Sequence, residues 1–86
     1  MDNKFGLSIV DNGHHRRETR YQVEQTAPET YIYTIYRRHE GSWQDVGRGM
    51  VEHCGSMNDF VNAIAIRLGP SDYEWEPMGY DEVLVD

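Results

Sequence analysis

The sequence is poor in cysteine, in long apolar runs and in export signals. Cys54 is the single cysteine among 86 residues, so no disulfide can form within the chain. A lone thiol is typical of a reducing compartment, which predicts a cytoplasmic protein. No apolar run approaches the ~18 residues that span a bilayer, and the first four residues lack the basic and then apolar pattern of a signal peptide. We therefore expect no membrane partner.

Basic side chains are scarce in the second half of the sequence. Residues 44–86 contain nine acidic residues and only Arg48 and Arg67 as bases, whereas residues 1–43 contain six of each sign. The whole net charge of −7 thus belongs to the second half. Because nucleic-acid affinity comes mainly from neutralising phosphates, this excess argues against direct nucleic-acid binding. It favours a protein partner with a basic surface.

Motifs for metal binding or catalysis are also missing. The pairs His14-His15 and His53-Cys54 are adjacent, and adjacent residues on an extended chain point to opposite faces. No Cys-x-x-Cys or His-x-x-x-His spacing occurs, no serine lies in a Gly-x-Ser-x-Gly context, and the two glycines of residues 47–49 lack the rest of a phosphate loop. We expect no metal site, no cofactor and no enzymatic activity.

The most informative stretch present is residues 30–36, Thr-Tyr-Ile-Tyr-Thr-Ile-Tyr, in which every side chain is β-branched or aromatic. Such residues fit a pleated, half-buried surface, and turn-forming residues bound the stretch on both sides. It is predicted to be the central strand of a small antiparallel sheet. Its tyrosines are interpreted as core or near-core residues, and an aromatic contact platform is the alternative.

Three more strands follow from alternation and turn chemistry. Residues 5–10 alternate with one apolar face, and Asn12-Gly13 is a strong signal for a two-residue hairpin turn. The second strand is expected to become sheet-like near Arg20. A fourth strand is predicted over residues 43–51, in which two glycines on one face indicate a bulge, a bend or a helix lying close above.

A helix is predicted over residues 56–68. Ser56 is a suitable N-cap, Asp59 three residues later resembles a capping box, and Gly69-Pro70 ends the helix. Ile66 points away from the apolar stripe and is predicted to be exposed, with a partner contact as the alternative. The stripe itself has helical spacing and consists of Met57, Phe60, Val61, Ile64 and Leu68.

These elements predict one α+β domain over residues 1–86. A four- to five-stranded antiparallel sheet occupies about residues 4–51, and one helix packs on one of its faces. The order of elements is β-β-β-β-α, with an optional last strand at residues 82–85. Residues 70–86 form an acidic, aromatic C-terminal segment.

This C-terminal segment is the predicted binding site for a protein partner. From residue 71 onward it contains six acidic residues and no base, and large apolar residues are interleaved among the acids. Tyrosine and tryptophan supply rigid contact area, and carboxylates steer and pair with arginine or lysine. The candidate partner-binding residues are Asp72, Tyr73, Glu74, Trp75, Glu76, Tyr80, Asp81 and Glu82.

In size, acidity and sheet-plus-helix architecture, the chain resembles the small inhibitors that phages and mobile elements use against bacterial defence nucleases, anti-CRISPR proteins among them. Several of those inhibitors occlude a nucleic-acid groove with acidic groups. The resemblance implies a non-enzymatic inhibitor that works in the host cytoplasm and blocks a basic nucleic-acid-binding surface of a defence protein.

Two alternatives stay open at this point. The first is a structural homodimer that pairs sheet edges or a tyrosine face. The second is a small nucleic-acid binder or ribonuclease that uses the His14–Arg17 hairpin, with tyrosines that stack on bases. The second alternative requires the basic residues to cluster on one side of the fold, namely Arg16, Arg17, Arg20, Arg37 and Arg38.

Overall fold

Five strands and one α-helix make up the fold in a computed structural model that describes residues 3–85. The elements are β1 (Lys4–Asp11), β2 (Arg17–Ala27), β3 (Thr30–His39), β4 (Ser42–Glu52), α1 (Met57–Leu68), β5 (Tyr73–Met78) and a short 3₁₀ helix (Tyr80–Glu82). The strands form one antiparallel sheet in the order β4-β3-β2-β1-β5, which confirms the α+β prediction. Met1, Asp2 and Asp86, the last of which belongs to the predicted acidic segment, lie outside the described residues.

The tyrosine-rich strand β3 lies inside the sheet between β2 and β4, although the middle position belongs to β2. Tyr31 and Tyr33 are buried on the face that α1 covers. On the other face Ile32 is exposed, and the half-buried Tyr36 donates a hydrogen bond of 2.9 Å from its hydroxyl to Gln22 Oε1. Two of the strand's three tyrosines are therefore core residues, and the strand presents no aromatic platform.

Helix α1 covers the sheet through Phe60, Val61 and Ile64 of the predicted apolar stripe, whereas Met57 is half-buried and Leu68 is exposed. Phe60 is completely buried, and its ring meets the rings of Phe5, Tyr31 and Tyr33 edge-on, with centroids 5.6–5.9 Å apart. The predicted N-cap is present, because Ser56 Oγ accepts a hydrogen bond of 3.2 Å from the backbone N–H of Asp59. These edge-to-face contacts fix the helix on the sheet.

The glycines of β4 mark both a bulge and a close approach. The pairing of β3 with β4 shifts register at Ile35/Tyr36, which leaves one extra residue on β4 just before Gly47. A side chain at Gly49 would collide with the ring and hydroxyl of Tyr33. That hydroxyl accepts a hydrogen bond of 2.7 Å from Arg67 Nη1 on the helix. Gly49 thus makes room for the contact between helix and sheet.

The connection between β1 and β2 differs from the predicted two-residue turn. It spans residues 12–16, and β2 begins at Arg17, opposite Asp11, rather than near Arg20. Positive φ values occur at His15 (59°) and Arg16 (53°), while Gly13 is not among the positive-φ residues. The Asp11 carboxylate accepts hydrogen bonds from Gly13 N and from Ser71 Oγ and pairs with His14. These bonds stabilise a loop that is longer than the two-residue turn indicated by Asn12-Gly13.

The predicted location of the fifth strand was wrong. The chain pairs with β1 through residues 73–78, not through residues 82–85. Residues 73–76 alternate aromatic and acidic side chains, a period-2 pattern that the high acid content obscured. Residues 82–85 instead lie across the sheet face opposite α1, where Val83 is completely buried. Arg20 Nη1 holds this tail by donating to the carbonyl oxygens of Val83 (2.9 Å) and Val85 (2.7 Å).

The tail depends on a glycine beneath it, and this gives a test of its packing. A Cβ at Gly6 would lie 2.6 Å from Val83 Cγ2 and 2.7 Å from the carbonyl oxygen of Gly79. We expect Gly6→Ala to lower the free energy of unfolding by about 1–3 kcal/mol through overpacking. Hydrogen exchange at residues 79–85 should also become faster. Chemical denaturation and exchange mass spectrometry measure the two effects.

The matched control for this substitution is Gly47→Ala. Its Cβ would have only Ile35 Cδ1 at an ordinary contact distance of 3.6 Å, so its effect on stability should be small. Equal loss of stability in both variants, or unchanged exchange at residues 79–85 in Gly6→Ala, would contradict the described packing of the tail.

Candidate functional site

Four of the predicted partner-binding residues form an exposed strip at one edge of the sheet. We call Asp72, Glu74, Trp75 and Glu76 the acidic edge. Because β5 pairs only with β1 in the described sheet, its outer backbone groups face solvent. Glu74 and Glu76 lie opposite Val10 and Ser8 on the sheet face away from α1, and Trp75 lies opposite Ile9 on the helix side. Carboxylates and an indole thus flank the open strand edge.

The carboxylates of the acidic edge form no ion pair in the part of the chain that the structure describes. Neither Asp72, Glu74 nor Glu76 takes part in an ion pair or a side-chain hydrogen bond within residues 3–85. Trp75 exposes 41% of its surface. Uncompensated charges of one sign beside an exposed indole can attract and then contact a cationic surface.

The other predicted residues have more structural roles. Tyr73 is half-buried, and its hydroxyl donates to the carbonyl oxygen of Gly69 at 2.6 Å, which fastens the end of α1 to β5. The Lys4 ammonium lies 5.3 Å from the ring centre of Tyr80, and the backbone carbonyl oxygen of Tyr80 accepts a hydrogen bond from Gln22 Nε2. Asp81 and Glu82 are exposed, and Glu82 Oε1 accepts from Gly79 N. Tyr80, Asp81 and Glu82 therefore lie on the short 3₁₀ helix that leads into the tail, not on the strand edge.

A second charged region lies at the end of the sheet where the β1–β2 and β3–β4 turns meet. It is a groove of 810 Å³, which we call the cationic groove. Its basic lining residues are His14, His15, Arg17, Arg37, Arg38 and His39, and its other lining residues are Glu18, Trp43, Gln44 and Val46. The sequence indicated residues 14–17 only as an alternative nucleic-acid site and did not show that His39 and Trp43 lie beside them. Antiparallel pairing brings the start of β2, the end of β3 and the start of β4 to the same end of the sheet, and this pairing could have predicted the groove.

The nucleic-acid alternative requires five arginines on one side of the fold, and only Arg17, Arg37 and Arg38 line the groove. Arg20 is not in the groove, because it donates to Glu18 and to the tail, and its guanidinium lies 4.2 Å from the ring centre of Trp43. The buried Tyr31 and Tyr33 cannot stack on bases. Arg17 and Arg37, by contrast, do line the groove together.

Electrostatics of the groove are dominated by its cations. Among the described residues, Glu18 is the one carboxylate in the groove lining, and it accepts hydrogen bonds from Ser8 Oγ (2.6 Å) and Arg20 Nε (3.0 Å). Burial tends to raise the pKa of Glu18, but the bonds from Ser8 and Arg20 outweigh this effect and leave the pKa lowered. Glu18 is thus ionised and already engaged in hydrogen bonds at neutral pH.

Cys54 can be tested directly as a nucleophile. The thiol is buried and donates weakly to the carbonyl oxygen of Ser56, and burial raises its pKa. We expect a disulfide reagent to label Cys54 slowly in the native protein at neutral pH and rapidly once denaturant unfolds it. Absorbance of the released thiol measures both rates. Fast labelling of the native protein would make Cys54, beside the exposed His53, a candidate nucleophile.

Within residues 3–85, no three His, Cys, Asp or Glu side chains come together in a way that could hold a metal ion. The same residues contain no helix long and apolar enough to cross a membrane. Comparisons with protein-family models, with curated proteins and with solved structures found no match. Functional inference therefore rests on the two charged surfaces.

Proposed function

We propose that the protein is a non-enzymatic binding module that attaches to a basic protein surface through its acidic edge. The observation that carries the proposal is the open edge of β5, where Glu74 and Glu76 lie unpaired beside the exposed Trp75. Extended edges of this kind recruit partners through backbone hydrogen bonds, and flanking side chains set specificity. The carboxylates would accelerate encounter with a cationic partner, and the indole would supply the apolar anchor.

The partner best matched to this edge is the nucleic-acid channel of a bacterial defence protein. Such channels are lined with arginine and lysine that normally neutralise phosphates, so a strand bearing carboxylates competes for the same cations. The protein would then act as an inhibitor made by a phage or mobile element, by steric and electrostatic competition in the host cytoplasm. Its binding would weaken with salt, because exposed charges are screened over about 10 Å at 0.1 M.

The test begins with capture from a bacterial lysate at low and at high salt, with the tagged full chain as bait. Each captured protein is then purified, and its binding to nucleic acid is measured with and without the inhibitor candidate. The proposal expects a nucleic-acid-binding protein whose capture falls with salt and whose nucleic acid is displaced. Capture that is insensitive to salt, or a ternary complex with nucleic acid still bound, would contradict it.

Light scattering of the purified chain measures its molar mass and so distinguishes the homodimer alternative from the proposed function. The sheet has open edges at both β4 and β5 among the described residues, so self-pairing is geometrically available. The proposed function expects a monomer at micromolar concentration. A stable dimer that buries β5 would assign this edge to self-association instead.

A further inference from the structure

The cationic groove has the volume of a small-molecule site. Its volume of 810 Å³ falls within the roughly 300–1,000 Å³ of known ligand pockets. Trp43 and Val46 contribute apolar wall, and the turns at residues 12–16 and 40–41 border the open end. The indole N–H of Trp43 is buried and finds no acceptor among the described residues. This leaves one donor unsatisfied at the groove wall.

Arg17 and Arg37 are the central cations of the groove. Thr19 pairs with Arg37 between β2 and β3, so Arg17, two residues before Thr19, lies on the same face beside it. Neither guanidinium makes an ion pair or a side-chain hydrogen bond within residues 3–85. Neighbouring like charges repel, and an anion bound between them would relieve the repulsion.

Two carboxylates near these arginines, those of Asp11 and Glu18, are already engaged by other groups. Asp11 lies opposite Arg17 in the strand register, but its oxygens are taken by Gly13, His14 and Ser71. Glu18 is taken by Ser8 and Arg20. In a chain with a net charge of −7, two arginines at this groove thus make no ion pair or side-chain hydrogen bond within residues 3–85.

We infer that the cationic groove binds the phosphate group of a small phosphorylated molecule of about mononucleotide size. Arginine guanidinium matches phosphate oxygens through paired hydrogen bonds, so Arg17 and Arg37 would hold the phosphate. His39, which continues the same strand face as Arg37, would lie beside them as a further donor. The remainder of the ligand would extend around the end of the sheet towards Trp43 and Val46, which line the same groove.

This site is independent of the proposed function. The groove is lined by residues from the β1–β2 turn to β4, and β5 lies at the far edge of the sheet from β4. Two strand spacings of about 4.8 Å separate β2, which carries Arg17, from β5, and three separate β3, which carries Arg37, so the distances are roughly 10 and 14 Å. Changes in the groove should therefore leave partner capture by the acidic edge intact, and the reverse should also hold.

The experiment titrates the full chain at low salt with adenosine monophosphate, inorganic phosphate and a short single-stranded RNA in separate calorimetric series. The variant is Arg17→Ala/Arg37→Ala. The control Arg16→Ala/Arg48→Ala removes the same charge from positions outside the groove, where Arg16 bonds to Asn12 and Arg48 pairs with Asp45. Unchanged circular dichroism and thermal midpoint show that each variant folds.

We expect saturable binding of adenosine monophosphate, at least as tight as that of inorganic phosphate. Loss of two charge-assisted contacts should weaken it by at least about 10-fold in Arg17→Ala/Arg37→Ala, whereas the control should change it by less than about 3-fold. Absence of saturable binding at millimolar ligand, equal losses in both double variants, or binding of RNA alone would overturn the inference. The last outcome would make the groove part of a nucleic-acid interface.

Discussion

Reversing both strand carboxylates, Glu74→Lys/Glu76→Lys, is expected to raise the Kd for a basic partner about 100-fold or more at low salt. Each substitution removes one attraction and adds one repulsion, and like charges placed against each other across an interface cost several kcal/mol. Both side chains are exposed and unpaired, so the fold should tolerate the change. Surface plasmon resonance against the identified partner, at several salt concentrations, measures the loss and its decline as salt increases.

The matched control is Glu29→Lys/Glu52→Lys, which changes the net charge by the same amount. Both glutamates are exposed, Glu29 in the β2–β3 turn and Glu52 at the end of β4, away from the acidic edge. The control should alter the Kd by only a few fold, through the overall field. If the two double variants weaken binding equally, net charge rather than the acidic edge governs the interaction.

Replacing Phe60 with alanine is expected to have the largest effect on stability. The ring is completely buried and packs edge-on against Phe5, Tyr31 and Tyr33, so its removal leaves a cavity between α1 and the sheet. Truncation of buried phenylalanine costs about 3–5 kcal/mol. Since domains of this length have a free energy of unfolding of roughly 4–13 kcal/mol, the variant would keep only part of its stability.

Urea denaturation followed by tryptophan fluorescence measures this loss, with Ile66→Ala as the control on the same helix. Ile66 exposes 81% of its surface, and its truncation should change the free energy of unfolding by less than about 0.5 kcal/mol. A loss below 1 kcal/mol for Phe60→Ala would mean that α1 does not pack on the sheet as described.

Strand β3 and helix α1 could be predicted because their sequences carry strong, local periodic signals. A run of β-branched and aromatic residues favours a half-buried position in a sheet. The helix has a single apolar stripe, which includes Phe60 and Ile64. The N-cap at Ser56 and the exposure of Ile66 follow from the same local geometry, and the structure confirms both.

Strand β5 and the tail could not be located because their placement depends on distant partners. Tyr73–Met78 is a strand because β1 offers it an open edge, and nothing within the segment specifies that edge. Val83 is buried because Gly6, far away in sequence, leaves space beneath it. Choices of this kind are made by tertiary packing, which overrides weak local preference.

The candidate site was half predictable for a related reason. Composition alone marked Glu74, Trp75 and Glu76 as an acidic and aromatic surface, and the structure places them together on the open edge. The cationic groove draws on residues from three strands, and only the register that brings Arg17 near Arg37 makes them neighbours. Charge counted along the sequence therefore understated the basic surface of an acidic chain.

Hydrogen–deuterium exchange of the protein alone and with its identified partner tests the central proposal most directly. We predict that the partner slows exchange at residues 72–76 and leaves the turns at residues 13–16 and 40–41 unchanged; Asn12 is not used because its N–H donates to the carbonyl oxygen of Asp72. Protection confined to β4 or to the cationic groove, with β5 exchanging as in the free protein, would contradict the assignment of the acidic edge as the binding surface.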